Sequence, residues 1–323
     1  MSAPASAPAP DAAARSRLTR AAALASIAAA GVLAMLKTWA VWRTNSTAML
    51  GSLADTALDL FASLAVLAGV WIAARPPDQE HRFGHGKAEA LAAMAQVVLI
   101  ALAAGAILLR ALSQLMGPPQ PVSAAADGVA VSVAAIAVTL ALLAWQRHVI
   151  RRTGSLAIRT DALHYQSDLL LNCTVIVALA ADAWLGLAGA DPLLGAGIAL
   201  WLARGAWRAG REAIDQLMDR EWPDARRAAL VAAVARHGEA LRLHDLRTRS
   251  SGASDFAQFH VDLPASMSVG EAHARIERLE ADLAQAFPGV EWLIHVDPAG
   301  HRDQPHNPLA EASEFNARKE PDG

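Results

Sequence analysis

The sequence predicts an α-helical membrane protein of six transmembrane helices followed by a small α+β domain, and three observations carry that prediction. First, the 323-residue chain is 54% hydrophobic and only 18% charged, whereas soluble domains carry about 25% charged residues. Second, the polarity is uneven: long apolar runs fill the chain to about residue 220, and 221–323 is rich in Arg, Asp, Glu and His. Third, six apolar stretches of about span length can be read, with breakers such as Pro76-Pro77, Gly117-Pro118-Pro119 and the segment from Gly186 to Pro192 falling between them.

The expected organisation is a disordered, Ala/Pro-rich segment 1–16, a membrane domain 17–220, a small polar domain 221–298 and a disordered tail 299–323. The spans read as Leu18–Trp42, Ser46–Ala74, Ala88–Leu115, Ser123–Trp145, Leu156–Leu185 and Pro192–Trp207. The first is longer than a typical signal-peptide core, so it reads as a retained span. Arg15, Arg17 and Arg20, then Arg75, Arg82 and Lys87, then Arg147, Arg151, Arg152 and Arg159, and finally Arg208 and Arg211 mark one side of the membrane. The positive-inside rule makes that side cytoplasmic, with both termini on it. Lys37, late in the first span, is expected to snorkel to the outer interface.

Some classes are excluded. Cys173 is the single cysteine, so neither an intramolecular disulfide nor a cysteine metal cage is available. A net charge of -3 and the lack of a recognition motif argue against a nucleic-acid partner. No catalytic constellation and no nucleotide-binding loop is present, which argues against an enzyme or an ATP-driven pump.

The chemistry concentrates where ionisable residues enter the spans. Asp55 and Asp59 are four apart in the second, and His164 and Asp168 are four apart in the fifth, so each pair shares a helix face. Ionisable groups in a bilayer are costly unless paired, hydrated or bound to a cation, and like charges at this spacing repel. Two carboxylates on one turn need a cation, and together the four residues make an N/O metal site. A proton relay without metal and a structural network are the competing readings.

Between the second and third spans, Asp78, His81 and His85 follow an Asp-x2-His-x3-His spacing that can surround one ion, or can be an ordinary polar loop. The last domain reads helix (Asp224 to about His237), strand (Leu241–Arg249), strand (Asp255–Leu263), helix (Val269–Phe287), strand (Val290–Asp297). Period-two alternation turns His244, His260, His295 and Asp297 away from the apolar core face, onto the sheet face the helices leave open. His273, near the second helix's start, is placed to join them at an edge or across a subunit boundary. An open face of this kind needs a cover, which points to a homodimer held in part by metal.

The Ser52–Asp59 stretch, the His164-Tyr165-Gln166-Ser167-Asp168 stretch and six spans with a small cytoplasmic domain resemble the cation diffusion facilitator family, bacterial zinc/iron exporter type, over about residues 18–298. The resemblance implies that Asp55, Asp59, His164 and Asp168 form the transport site. It implies a secondary site at Asp78, His81 and His85, and a cytoplasmic zinc cluster in a ferredoxin-like αββαβ domain. It also implies a charged contact between Lys87 and Asp219 at the base of the spans. The expected activity is Zn2+/H+ antiport by alternating access in a homodimer of the bacterial inner membrane, with membrane lipid around it. Fe2+, Cd2+ or Co2+ remain alternative substrates, since ligand type alone does not separate them. A non-transporting metal sensor and a proton-coupled carrier of organic cations are the readings from other classes.

Overall fold

The computed structural model describes residues 12–44, 47–116, 126–185, 190–237 and 242–300. The chain divides into two compact units, Met1–Ile214 and Asp215–Gly323.

Six long helices build the first unit: α1 (Ala12–Thr44), α2 (Thr47–Ala73), α3 (Ala88–Met116), α4 (Ala126–Thr153), α5 (Leu156–Leu185) and α6 (Ala190–Leu217). Within α1–α4, the segments Ala13–Arg43, Asp55–Ala73, Ala88–Met116 and Val133–Thr153 are long and apolar enough to cross a membrane. At 30 and 28 residues, α5 and α6 are comparable in length, and charge sets them apart. Arg159, Asp161 and Asp168 lie on α5, and Arg204, Arg208, Arg211 and Glu212 lie on α6. Helices run past the apolar stretches: α4 continues through Arg147 and Arg151, and α1 begins inside the segment 1–16. Arg and Ala are good helix formers, and hydropathy reports only the part of a helix that is apolar.

Helix α1 packs on α2 and α4, α2 on α3, and α5 on both α3 and α4. Small residues let the backbones approach, as lipid-embedded interfaces require. Ala22, Ala23, Val66, Val70, Val149, Ala157 and Ile158 form one buried cluster. Gly69 of α2 marks a close approach, since a Cβ there would stand 2.3 Å from the Ala92 Cβ of α3. Gly154, at φ +63°, makes the turn between α4 and α5 that a side chain would strain. Outward faces keep Leu64, Leu102, Leu109, Leu140 and Leu200 exposed, which suits lipid because every backbone group is satisfied within its helix.

The second unit follows the expected αββαβ order: α7 (Asp224–Ala235), β1 (Leu243–Ser251), β2 (Ser254–Leu263), α8 (Val269–Ala286) and β3 (Val290–Pro298). The sheet order is β1-β2-β3, with β1 antiparallel and β3 parallel to the central β2. Gly252, at φ +60°, closes the hairpin, and α8 supplies the crossover that parallel strands need. Ser268 and Glu271 form a capping box that starts α8. Leu230 and Val234 of α7, Leu279 and Leu283 of α8, and Leu243, Phe259, Val261 and Leu263 of the sheet share one core. The strands' other face carries the polar residues. Strict alternation fails early in β1: the register shifts between His244 and Arg247, with Asp245 at φ +46°. Two residues of β1 there oppose one of β2, a β-bulge that returns Leu246 to the buried side.

Candidate metal centres

Within the membrane unit, Asp59 of α2 meets His164 and Asp168 of α5. His164 Nε2 lies 2.9 Å from Asp59 Oδ1 and 3.9 Å from Asp168 Oδ2. One ligand atom from each residue falls within 4.8 Å of the others. An imidazole nitrogen and two carboxylate oxygens at that separation can share one ion, with room for a fourth ligand. Asp55, one turn earlier on α2, is exposed and stands outside this group. Lys37 differs from expectation: its Nζ donates to Thr56 Oγ1 at 2.6 Å, toward α2, instead of reaching for the outer interface.

Two turns before Asp168, Asp161 occupies a different environment. It is fully buried and accepts hydrogen bonds from Ser26 Oγ of α1 (2.6 Å), Gln146 Nε2 of α4 (2.8 Å) and Gln96 Nε2 of α3 (3.3 Å). Tyr165, one turn on, donates to the Ser26 carbonyl at 3.0 Å and lies 3.1 Å from Ser63 Oγ of α2. Four helices are thus tied together at one carboxylate, and the Tyr165 hydroxyl adds α2. Nearby, the buried Ser155 hydroxyl donates to Glu89, joining the start of α5 to α3. These partners come from distant parts of the chain, so no local pattern identified them.

The loop between α2 and α3 folds around Asp78. Its Oδ1 accepts the backbone N–H groups of Glu80 (3.0 Å) and His81 (2.6 Å), an Asx-type turn. His81 Nδ1 and His85 Nε2 each lie 3.3 Å from an Asp78 oxygen, and the two rings are 4.5 Å apart. The His81 N–H bond is the main reason the Asp78 carboxyl is held below the usual carboxylate range, with the Glu80 N–H and both histidines adding to it. All three expected residues are therefore together, and the carboxylate stays ionised and available.

In the second unit the register puts His244 opposite His260 and His260 opposite His295, a rung of imidazoles across three strands. Asp297 lies beneath it, only 7% exposed. Its carboxylate is 2.7 Å from His260 Nδ1, 3.4 Å from His244 Nε2 and 3.3 Å from His295 Nε2. Burial pushes Asp297 up, but the His260 hydrogen bond and the three imidazoles more than offset it and hold the carboxyl below its ordinary value. Two further carboxylates border the cluster and were not anticipated as ligands. Asp262 is 3.8 Å from His244, and Asp245, turned inward by the bulge, is 3.8 Å from His260. His273 is not drawn in; it is exposed, 3.4 Å from Glu277 on α8. Lys87 belongs to the first unit and Asp219 to the second, where Asp219, at φ +56°, lies 3.6 Å from Arg249.

The long apolar helices and the clustered His and Asp side chains describe a helical membrane protein with candidate metal centres, and comparison with known proteins gives the family. Residues 23–218 match the cation efflux transmembrane domain, and 222–299 match the cytoplasmic domain of cation efflux proteins. The cation-efflux pump FieF of Cronobacter sakazakii is 43% identical over 282 residues, 87% of this chain and 93% of that protein. FieF of Yersinia pestis (strain Pestoides F) is 42% identical over the same extent. A solved structure of CzrB in its zinc form matches 27% of this chain and 99% of that one at 39% identity, with a TM-score of 0.25. The chain belongs to the cation diffusion facilitator family, whose members export divalent cations and are not enzymes.

Proposed function

We propose that the protein is a Zn2+/H+ antiporter working as a homodimer in the bacterial inner membrane, with both termini in the cytoplasm. The observation that carries the reading is the convergence of Asp59, His164 and Asp168 from two helices; Asp55, one turn before Asp59, is the fourth ligand in this reading and turns in when metal binds. Ligands must be deprotonated to hold a metal, so protons and metal compete for the same atoms. Metal bound from the cytoplasm leaves when a more acidic outer compartment protonates the shell, His164 being the group that couples the two. One imidazole with carboxylates suits Zn2+ and accommodates Fe2+, Cd2+ or Co2+.

In this reading Asp78, His81 and His85 form a weaker loop site. His244, His260, His295 and Asp297 form a cytoplasmic site that His273 completes across the subunit boundary, and Lys87 with Asp219 braces the dimer. Cytoplasmic metal there tightens the dimer and favours transport.

The test is zinc flux and internal pH recorded together in proteoliposomes. Wild type should move zinc against an opposing proton flow, and Asp59→Ala should move neither. Wild type that binds zinc but moves neither ion would replace the antiporter with a sensor.

A further inference from the structure

We propose that Lys37 is a tethered competitor cation of the membrane site. Its ammonium stands in for part of the metal's charge when the site is empty and weakens the site's hold on the metal when it is full. The inference rests on the reading of Asp55, Asp59, His164 and Asp168 as the transported ion's ligands.

The sequence makes Lys37 conspicuous. It is the single charged residue between Arg20 and Arg43, inside an otherwise apolar span. A lysine near a span end ordinarily sends its ammonium along the stem to the headgroups. Lys37 sends it across to α2 instead, where Nζ donates to Thr56 Oγ1 at 2.6 Å. Thr56 is buried, 1% exposed, and is the neighbour of Asp55 and three residues from Asp59. The hydroxyl thus fixes the ammonium on the turn of α2 that carries both carboxylates. Asp59 in turn groups with His164 and Asp168 of α5.

Two consequences follow from charge alone. Three carboxylates in a bilayer without a bound ion are costly, and one ammonium reduces that cost for the empty carrier, easing its return. With a divalent ion bound, the same ammonium repels it. In a site of low effective dielectric, a unit charge several ångströms away changes affinity on the order of tenfold or more. Lys37 therefore shifts the site from tight binding toward release, as a carrier that must let go of its cargo requires. Thr56 serves as its anchor.

The experiment is Cd2+ binding by chelator competition on the detergent-solubilised full chain, the membrane site being the component lost in Asp59→Ala, paired with Cd2+ flux in proteoliposomes. Lys37→Gln should bind about tenfold tighter or more and transport several-fold more slowly at saturating Cd2+. Lys37→Arg, which keeps the charge, should restore affinity to within about threefold of wild type. Thr56→Val, which frees the ammonium to leave, should move affinity in the direction of Lys37→Gln, and it stands in for that variant if Lys37→Gln fails to fold. Unchanged or weaker binding in a folded Lys37→Gln, or in Thr56→Val where it stands in, overturns the proposal while leaving the site itself intact. If Asp59→Ala binds and transports as wild type does, the reading of the site has failed first.

Discussion

Two carboxylates on the same helix, Asp161 and Asp168, lie two turns apart and live in opposite conditions. Asp161 is sealed from solvent, and its oxygens are taken by a hydroxyl and two amides from α1, α3 and α4. Asp168 faces His164 and, beyond it, Asp59, so its neighbours are other would-be ligands. The difference separates structure from function inside a membrane. A carboxylate whose lone pairs are consumed by protein donors is an anchor. One grouped with a histidine and another carboxylate is incomplete without a cation. The Asp161 anchor also has a geometric use, because it fixes the rotation of α5 and with it the direction in which His164 and Asp168 point.

The comparison can be broken most directly at the incomplete end. Asp59→Ala should lower metal flux by at least about a hundredfold, yet the apo protein should melt no lower than wild type, since the loss relieves repulsion among the carboxylates gathered there. Thermal unfolding in detergent beside a flux assay reads both. Asp161→Ala should do the reverse in kind, costing about 3–5 kcal/mol because three buried donors lose their acceptor. Asp161→Asn should recover most of that: its oxygen keeps an acceptor in place, and its amide can donate to the Gln146 Oε1, which is buried without a hydrogen bond. If Asp161→Ala melts as wild type, the anchor is not one.

A smaller effect sharpens the edge of the network. Ser63→Ala removes the side-chain partner of the Tyr165 hydroxyl and should cost about 1 kcal/mol, read as a shift in melting temperature. The smallest involves Asp297, which combines both conditions: hydrogen-bonded by His260 and yet part of a ligand cluster. Its carboxyl is held below the ordinary value, so it contributes stability that is present above the usual carboxylate range near ~3.9 and is lost as pH falls through its lowered folded value. Melting of the metal-free full chain between pH 5 and 3 should therefore decline for wild type, and Asp297→Asn should show a flatter acid arm.

How legible these features were in the sequence follows from the range over which each interaction acts. Spans come from composition, and helix geometry sets Asp55 with Asp59, and His164 with Asp168, on one face of two separate helices. The αββαβ order and the shared face of His260 and His295 came from period-two alternation. The role of Asp161 was not legible, because its partners Ser26, Gln96 and Gln146 are 135, 65 and 15 residues away in sequence. The β1 bulge hid Asp245 for a local reason, since alternation assumes one residue per pairing position. Lys37 misled because snorkelling counts distance to the headgroups and takes no account of a hydroxyl on the neighbouring helix.

The contact of Gly69 with Ala92 has a mechanical consequence. Two helices that touch through a missing side chain are keyed like a notch and a tooth: they can roll about the contact, but sliding lengthwise drives the Ala92 methyl against the α2 backbone. Asp59 sits ten residues before that notch on the same helix, about 15 Å along it. Any piston-like movement of α2 must therefore carry α3 as freight, whereas a rocking movement needs only the notch as its bearing.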